Sequence, residues 1–144
     1  MIVEPARVTD APEIGRILSG WIDETPWMPR VHTCADEQGF ARMLVDKGWT
    51  SVARRCGVPV GFLARDGGAV HALYLAPGVR GQGVGKALLD RAKAETRALA
   101  LYTFQANAGA QRFYLREGFS EVARTDGARN DENLPDIRYE WRAP

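Results

Sequence analysis

The sequence predicts a mixed α/β fold on one mostly antiparallel sheet, and three observations predict it. The chain has 144 residues, 45% hydrophobic and 26% charged, which is the length and balance of one ordinary globular domain. Three strand-like runs follow one another with only glycine turns between them, as in a meander. The third run then leads through a glycine-rich loop into a helix and a further apolar strand, the order of a parallel crossover.

The elements follow in order. Ile2 to Arg7 reads as a first strand, after which Asp10 and Glu13 stand at capping-box spacing with Pro12 in the first turn of a helix. Ile14, Ile17, Leu18 and Trp21 give that helix one apolar face. Pro26 and Pro29 flank Trp27 and Met28, so residues 25 to 32 form an ordered loop. Thr33 and Asp36 start a second helix whose face is Phe40, Met43 and Leu44, and Gly48 closes it. The meander is 49–54, 58–65 and 70–75, with turns at Gly57 and at Asp66-Gly67-Gly68. Lys86 to Thr96 is helical, with Val84, Leu88, Leu89 and Ala92 on one face, and Leu99 to Phe104 is a strand. Ala108 to Glu117 forms a last helix capped by Gly118. Residues 119–124 pair as a hairpin with a final strand in which Ile137, Tyr139 and Trp141 alternate with Arg138, Glu140 and Arg142.

Lys+Arg 19 against Asp+Glu 18 leaves a net charge of +1, which removes the electrostatic case for a nucleic-acid binder or a polybasic membrane anchor. Cys34 and Cys56 have neither metal-ligand spacing nor the density of a disulfide scaffold. The N-terminal residues lack the pattern of a signal peptide, and no run is long enough to span a membrane. The expectation is a cytoplasmic protein without a metal.

The most informative segment runs from Leu73 to Lys86 and places closely spaced glycines between a strand and a helix start. Glycine lets the backbone approach an anion, and the unpaired N–H groups and dipole of the helix attract it. A Walker loop needs glycine where Arg80 stands and Ser or Thr where Ala87 stands. A dinucleotide fingerprint beginning at Gly81 needs a third glycine where Lys86 stands. What remains is Arg-x-x-Gly-x-Gly, carried by Arg80, Gly83 and Gly85. Downstream, Asn107, Ala110, Phe113-Tyr114 and Gly118-Phe119 spell a second motif. In these two motifs, and in its element order, the chain resembles the general N-acetyltransferase (GNAT) superfamily.

That resemblance implies one N-acetyltransferase domain over residues 1–144, with helices on both faces of the sheet and a parallel, splayed strand pair at its centre. It implies acetyl-CoA as co-substrate. The pantetheine arm would lie in the splay against the backbone of Leu73 and Leu75, with the pyrophosphate on Arg80, Gly81, Gln82, Gly83, Val84, Gly85 and Lys86. Asn107 has two roles open to it, bonding the arm or capping the next helix. Tyr114 stands at the family's position for the acid that protonates the leaving thiolate, and a phenol has a pKa close to that of a thiol.

The general base is open among His71, an ordered water, Glu24, Asp23 and His32; histidine is the side chain that ordinarily changes charge near neutrality. Glu24, Trp27 and Met28 are the candidate acceptor contacts, with Trp49 beside them. Trp21 fits core packing better, and the acidic turn Asp131–Asp136 is either a solvated loop or a border of the site. The acceptor is expected to be a primary amine of a small molecule or peptide, attacked directly in a ternary complex, and the resemblance allows a homodimer. A protein acyltransferase and a non-catalytic acyl-CoA sensor are the alternatives.

Overall fold

A computed structural model describes residues 1–144. Seven strands form one sheet in the order β1-β2-β3-β4-β5-β7-β6. They are β1 (Ile2–Pro5), β2 (Thr50–Arg55), β3 (Val58–Asp66), β4 (Ala69–Leu75), β5 (Ala98–Phe104), β6 (Ser120–Thr125) and β7 (Asp136–Arg142), and the helices are α1 (Ala11–Glu24), α2 (Cys34–Asp46), α3 (Val84–Glu95) and α4 (Ala108–Arg116). Every neighbouring pair is antiparallel except β4 and β5. The mixed sheet with its meander and single parallel crossover is therefore as the sequence predicts.

Two cores lie on opposite faces of the sheet. Ile14, Ile17 and Leu18 of α1 pack with Ala41, Leu44 and Val45 of α2 over Val52, Phe62 and Ala72. Val84, Leu88, Leu89 and Ala92 of α3 meet Leu63, Leu99, Leu101, Ile137 and Tyr139, with Tyr114 of α4 completing that side. The alternation read in β7 is real, since Ile137 and Tyr139 are almost wholly buried.

The structure differs from expectation at two helix features. Asp10 and Glu13 form no capping box: the Asp10 carboxylate turns back to accept from the Arg7 amide at 2.7 Å, closing a 3-10 turn over Val8–Asp10, while Glu13 pairs with Arg16. A stronger partner has captured the aspartate, because Arg54 donates to both of its oxygens at 2.8 and 2.6 Å and also to Glu4 at 2.5 Å. Phe40, expected on the buried face of α2, is exposed; Ala41, Leu44 and Val45 carry that face, one step round the helix. The cap at Thr33 forms as read, with Asp36 N–H donating to the Thr33 hydroxyl at 3.1 Å and Thr33 N–H to the Asp36 carboxylate at 3.2 Å.

The Arg54 guanidinium holds the Asp10 carboxyl below the usual aspartate range. A depressed carboxyl stabilises the fold above its unfolded pKa and loses that contribution as pH falls through the folded value. Asp10→Asn should therefore cost about 3 kcal/mol of unfolding free energy at pH 7, since it breaks a buried pair. In urea titrations its deficit against the wild type should shrink as pH drops from 5 towards 3.

Candidate functional site

The sheet opens at its centre. Strands β4 and β5 register at a single pair, Ala69 with Ala100, beside a bond from the Ala100 amide to Gly68 O at 2.8 Å. Past it the strands diverge, leaving the facing edges of residues 70–75 and 101–104 without a ladder. Buried backbone donors and acceptors require partners, and along these edges β4 and β5 do not supply them to each other.

A bulge helps to produce the divergence. Ala64 pairs with Ala72 and Arg65 with Val70, so His71 has no opposite residue on β3. The extra residue bends β4 and leaves His71 exposed, its imidazole stacked on Trp49 with ring centroids 4.9 Å apart.

The gap widens into a cavity of about 830 Å³. Among the residues singled out in the sequence, it brings together His71, Leu73, Leu75, Arg80, Gly81, Gly83, Val84, Gly85, Lys86, Asn107, Tyr114 and Trp21. Gln82, Glu24, Trp27 and Met28 do not line it. Gln82 instead fastens the glycine loop, donating to Gly78 O at 2.8 Å and accepting from Arg55 at 2.7 Å. Glu24 pairs with Arg80 at 3.3 Å, Trp27 packs edge-on against Trp21, and Met28 is buried. Of the alternative bases, Asp23 is held by Arg30 and His32 meets Asp131 at 3.0 Å. Asn107 caps α4 by accepting from the Ala110 amide at 3.1 Å while its residue borders the cavity.

Gly83 is the N-cap of α3 at φ +83°, in the left-handed region that favours glycine, and Gly83 to Lys86, where the first turn's N–H groups lack helical partners, line the cavity. Gly85 has a different reason: a Cβ there would lie 3.3 Å from Phe113 Cζ and 3.7 Å from Leu75 Cδ1. Its missing side chain lets α3 approach α4 and β4.

The ionisable groups of the cavity are held in different ways. At the glycine-loop end Lys86 donates to Glu117 at 3.1 Å and lies 3.4 Å from Asp90. The Glu117 carboxylate, almost fully buried, holds the Lys86 ammonium above the usual lysine range. Within the cavity, burial pushes the Tyr114 phenol well above the ordinary tyrosine range. Tyr74 is pushed up to about 12 by burial, reinforced by the negative charge of Glu132. The expected match between Tyr114 and a thiol is thus displaced upward, because a phenolate in this apolar setting loses its hydration. Both phenols stay protonated at neutral pH and can donate hydrogen bonds.

Sequence reasoning missed Tyr74, Phe104 and Glu117, all of which line the cavity. Tyr74 was legible only as a strand residue; the bulge that sets its face leaves no mark in composition.

The matching family model, described as an acetyltransferase (GNAT) domain, covers residues 15–121. The chain belongs to the GNAT acetyltransferase family. Peptidyl-lysine N-acetyltransferase YjaB of Salmonella typhimurium is 37% identical over 68 residues, 47% of each chain. The chain spans about half the length of the curated relatives it matches. The fold superposes on the solution structure of apo YjaB from Escherichia coli with a TM-score of 0.81 at 22% identity, covering 100% of both chains. It also superposes on YncA of Salmonella typhimurium, whose structure is with its cofactor acetyl-CoA, with a TM-score of 0.75 at 20% identity over 100% of this chain and 94% of that one. No helix of this GNAT domain is long and apolar enough to cross a membrane, and no group of three or more His, Cys, Asp or Glu side chains is placed to hold a metal.

Because Gly85 seats α3 against Phe113, Gly85→Val should force the helices apart. An overpacked contact of this kind costs about 2 kcal/mol, to be read as a lowered urea midpoint with an unchanged m-value.

Proposed function

We propose that this GNAT domain transfers the acetyl group of acetyl-CoA to a primary amine, on a lysine side chain or a small molecule, by direct attack within a ternary complex. The observation that carries this reading is the unladdered gap between β4 and β5, with a helix N-terminus at one end and a protonated tyrosine within it. The lysine acceptor is supported by the curated relatives, which are peptidyl-lysine N-acetyltransferases.

The residues present fit the co-substrate. The free edges of Leu73 and Leu75 can pair with the pantetheine amides as a missing strand would. The N–H groups from Gly81 to Lys86 can face the pyrophosphate, with Arg80 beside them; Gln82 holds that loop in place through Gly78. Lys86 brings less net charge than the sequence suggests, because Glu117 and Asp90 share it.

Acetyl-CoA supplies the thioester whose C–S bond breaks as the amine nitrogen bonds to the acetyl carbon. Tyr114 donates a hydrogen bond to the sulfur and so stabilises the charge that develops there. With its pKa raised by burial, this phenol acts first as a donor, and full proton transfer follows only as the thiolate forms. The attacking amine must be neutral and give up a proton. His71 stands on β4 beside the gap, and its exposed imidazole can take that proton through water. Glu24 and Asp23 are each engaged by an arginine, which disfavours them as bases.

The test is a thiol-release assay with acetyl-CoA over a panel of amines and lysine peptides, beside calorimetry of acetyl-CoA. Turnover on an amine supports the transferase reading; tight binding with no release on any acceptor would leave an acyl-CoA sensor. Tyr114→Phe should lower kcat by about 100- to 1000-fold, the range of a lost charge-stabilising donor, and leave acetyl-CoA affinity within about twofold. Gly83→Asp should abolish calorimetric binding, since it puts a negative charge and a strained backbone at the pyrophosphate position.

A further inference from the structure

Four aromatic rings arch across the end of the gap. Tyr74 stands on β4 and Phe104 on β5, the two strands that part. Trp21 from α1 meets Tyr74 with centroids 5.1 Å apart, Trp27 from the α1–α2 loop meets Trp21 at 5.9 Å, and Trp27 meets Phe104 at 5.8 Å. Trp21, Tyr74 and Phe104 line the cavity, and all four rings are only partly buried. Of the four, only Tyr74 packs against a core, with its ring centroid 5.9 Å from that of Phe62; Trp21, Trp27 and Phe104 belong to neither core.

The charges around this arch are unequal in availability. Glu24 is paired with Arg80, Asp23 with Arg30, and Asp131 with His32. Glu132, half-buried on the β6–β7 loop, forms no ion pair, yet its negative charge is felt by the Tyr74 phenol. Ring faces and an unpaired carboxylate together stabilise a cation. A site of this kind opposes loss of a proton from an amine held in it, whereas the attacking amine has to be neutral. The cation held here is therefore a different group from the one that reacts.

We infer that the arch of Trp21, Trp27, Tyr74 and Phe104, with Glu132 beside it, binds a second cationic group of the acceptor, so that the preferred acceptors carry at least two amines. This rests on the acetyltransferase reading above and names the substrate class for the same site. A diamine and a peptide with neighbouring lysines share the required chemistry.

Two measurements test it. The first uses choline as the probe and its neutral analogue 3,3-dimethylbutan-1-ol as the control, with tryptophan fluorescence as the readout. Choline should quench the fluorescence saturably, at a concentration at least tenfold below any effect of the alcohol. Trp27→Leu and, separately, Glu132→Gln should each raise its half-saturation by about fivefold. Glu132→Gln alters a loop side chain outside both cores, so it keeps the test open if Trp27→Leu fails to fold. Equal responses to choline and the alcohol, or variants that bind choline like the wild type, would overturn the inference.

The second compares kcat/KM for 1,5-diaminopentane with pentylamine, and for a blocked Lys-Lys dipeptide with Lys-norleucine. At least a tenfold preference for either dicationic member supports the inference, and the pair that shows it identifies the source. Preferences within the statistical factor of two overturn it. If choline binds as expected but no amine is acetylated, the transferase reading falls and the cation site stands.

Discussion

The site depends on the refusal of β4 and β5 to pair. A sheet ordinarily gains by extending its ladder, and here the ladder stops after Ala69 and Ala100. The cost is a row of backbone donors and acceptors in a largely apolar cleft, a condition tolerated only where something else supplies the missing partners. The bulge at His71 bends one strand away, while β5 is held to β7 by continuous pairing from Ala98 to Phe104. Separation is thus built into both halves of the sheet, while α3 packs across them on one face.

The two halves are rejoined around the gap by side chains and loops. Arg80 reaches from the glycine loop to Glu24 at the end of α1, so the glycine loop and α1 share one ion pair. Arg30 ties the α1–α2 loop back to Asp23 and, at 2.7 Å, to the buried Glu37, and donates to Ser19 O at 3.1 Å. His32 carries that loop on to Asp131 of the β6–β7 loop. These contacts fix a loop that has no regular structure and carries Trp27, which explains how an aromatic arch can span two strands that part.

Much of this was legible in the sequence, for definite reasons. The meander, α3 and β7 show strong periodicity with the apolar positions facing a core, and Thr33 with Asp36 is a local signal that nothing remote overrides. The geometry of the glycine loop could be read because it is local: a strand end, backbone freedom at Gly83 and a helix start lie within a dozen residues. Asp10 was misread because its partner, Arg54, is 44 residues away and outbids the local cap. Phe40 was misplaced because two adjacent stripes of α2 are apolar, and only the packing of α1 decides between them. Glu117 and Tyr74 were missed because burial of a carboxylate or a phenol is a tertiary property.

The central claim is that the parted edges of β4 and β5 are a receptor for the pantetheine arm of acetyl-CoA. Amide hydrogen exchange with and without saturating acetyl-CoA tests it most directly. The account predicts at least a tenfold slowing at amides within residues 70–75 and 81–86, with β1 and β2 unchanged, because the arm would complete the ladder and the pyrophosphate would cap α3. Exchange at those amides that stays the same while acetyl-CoA is bound would contradict it.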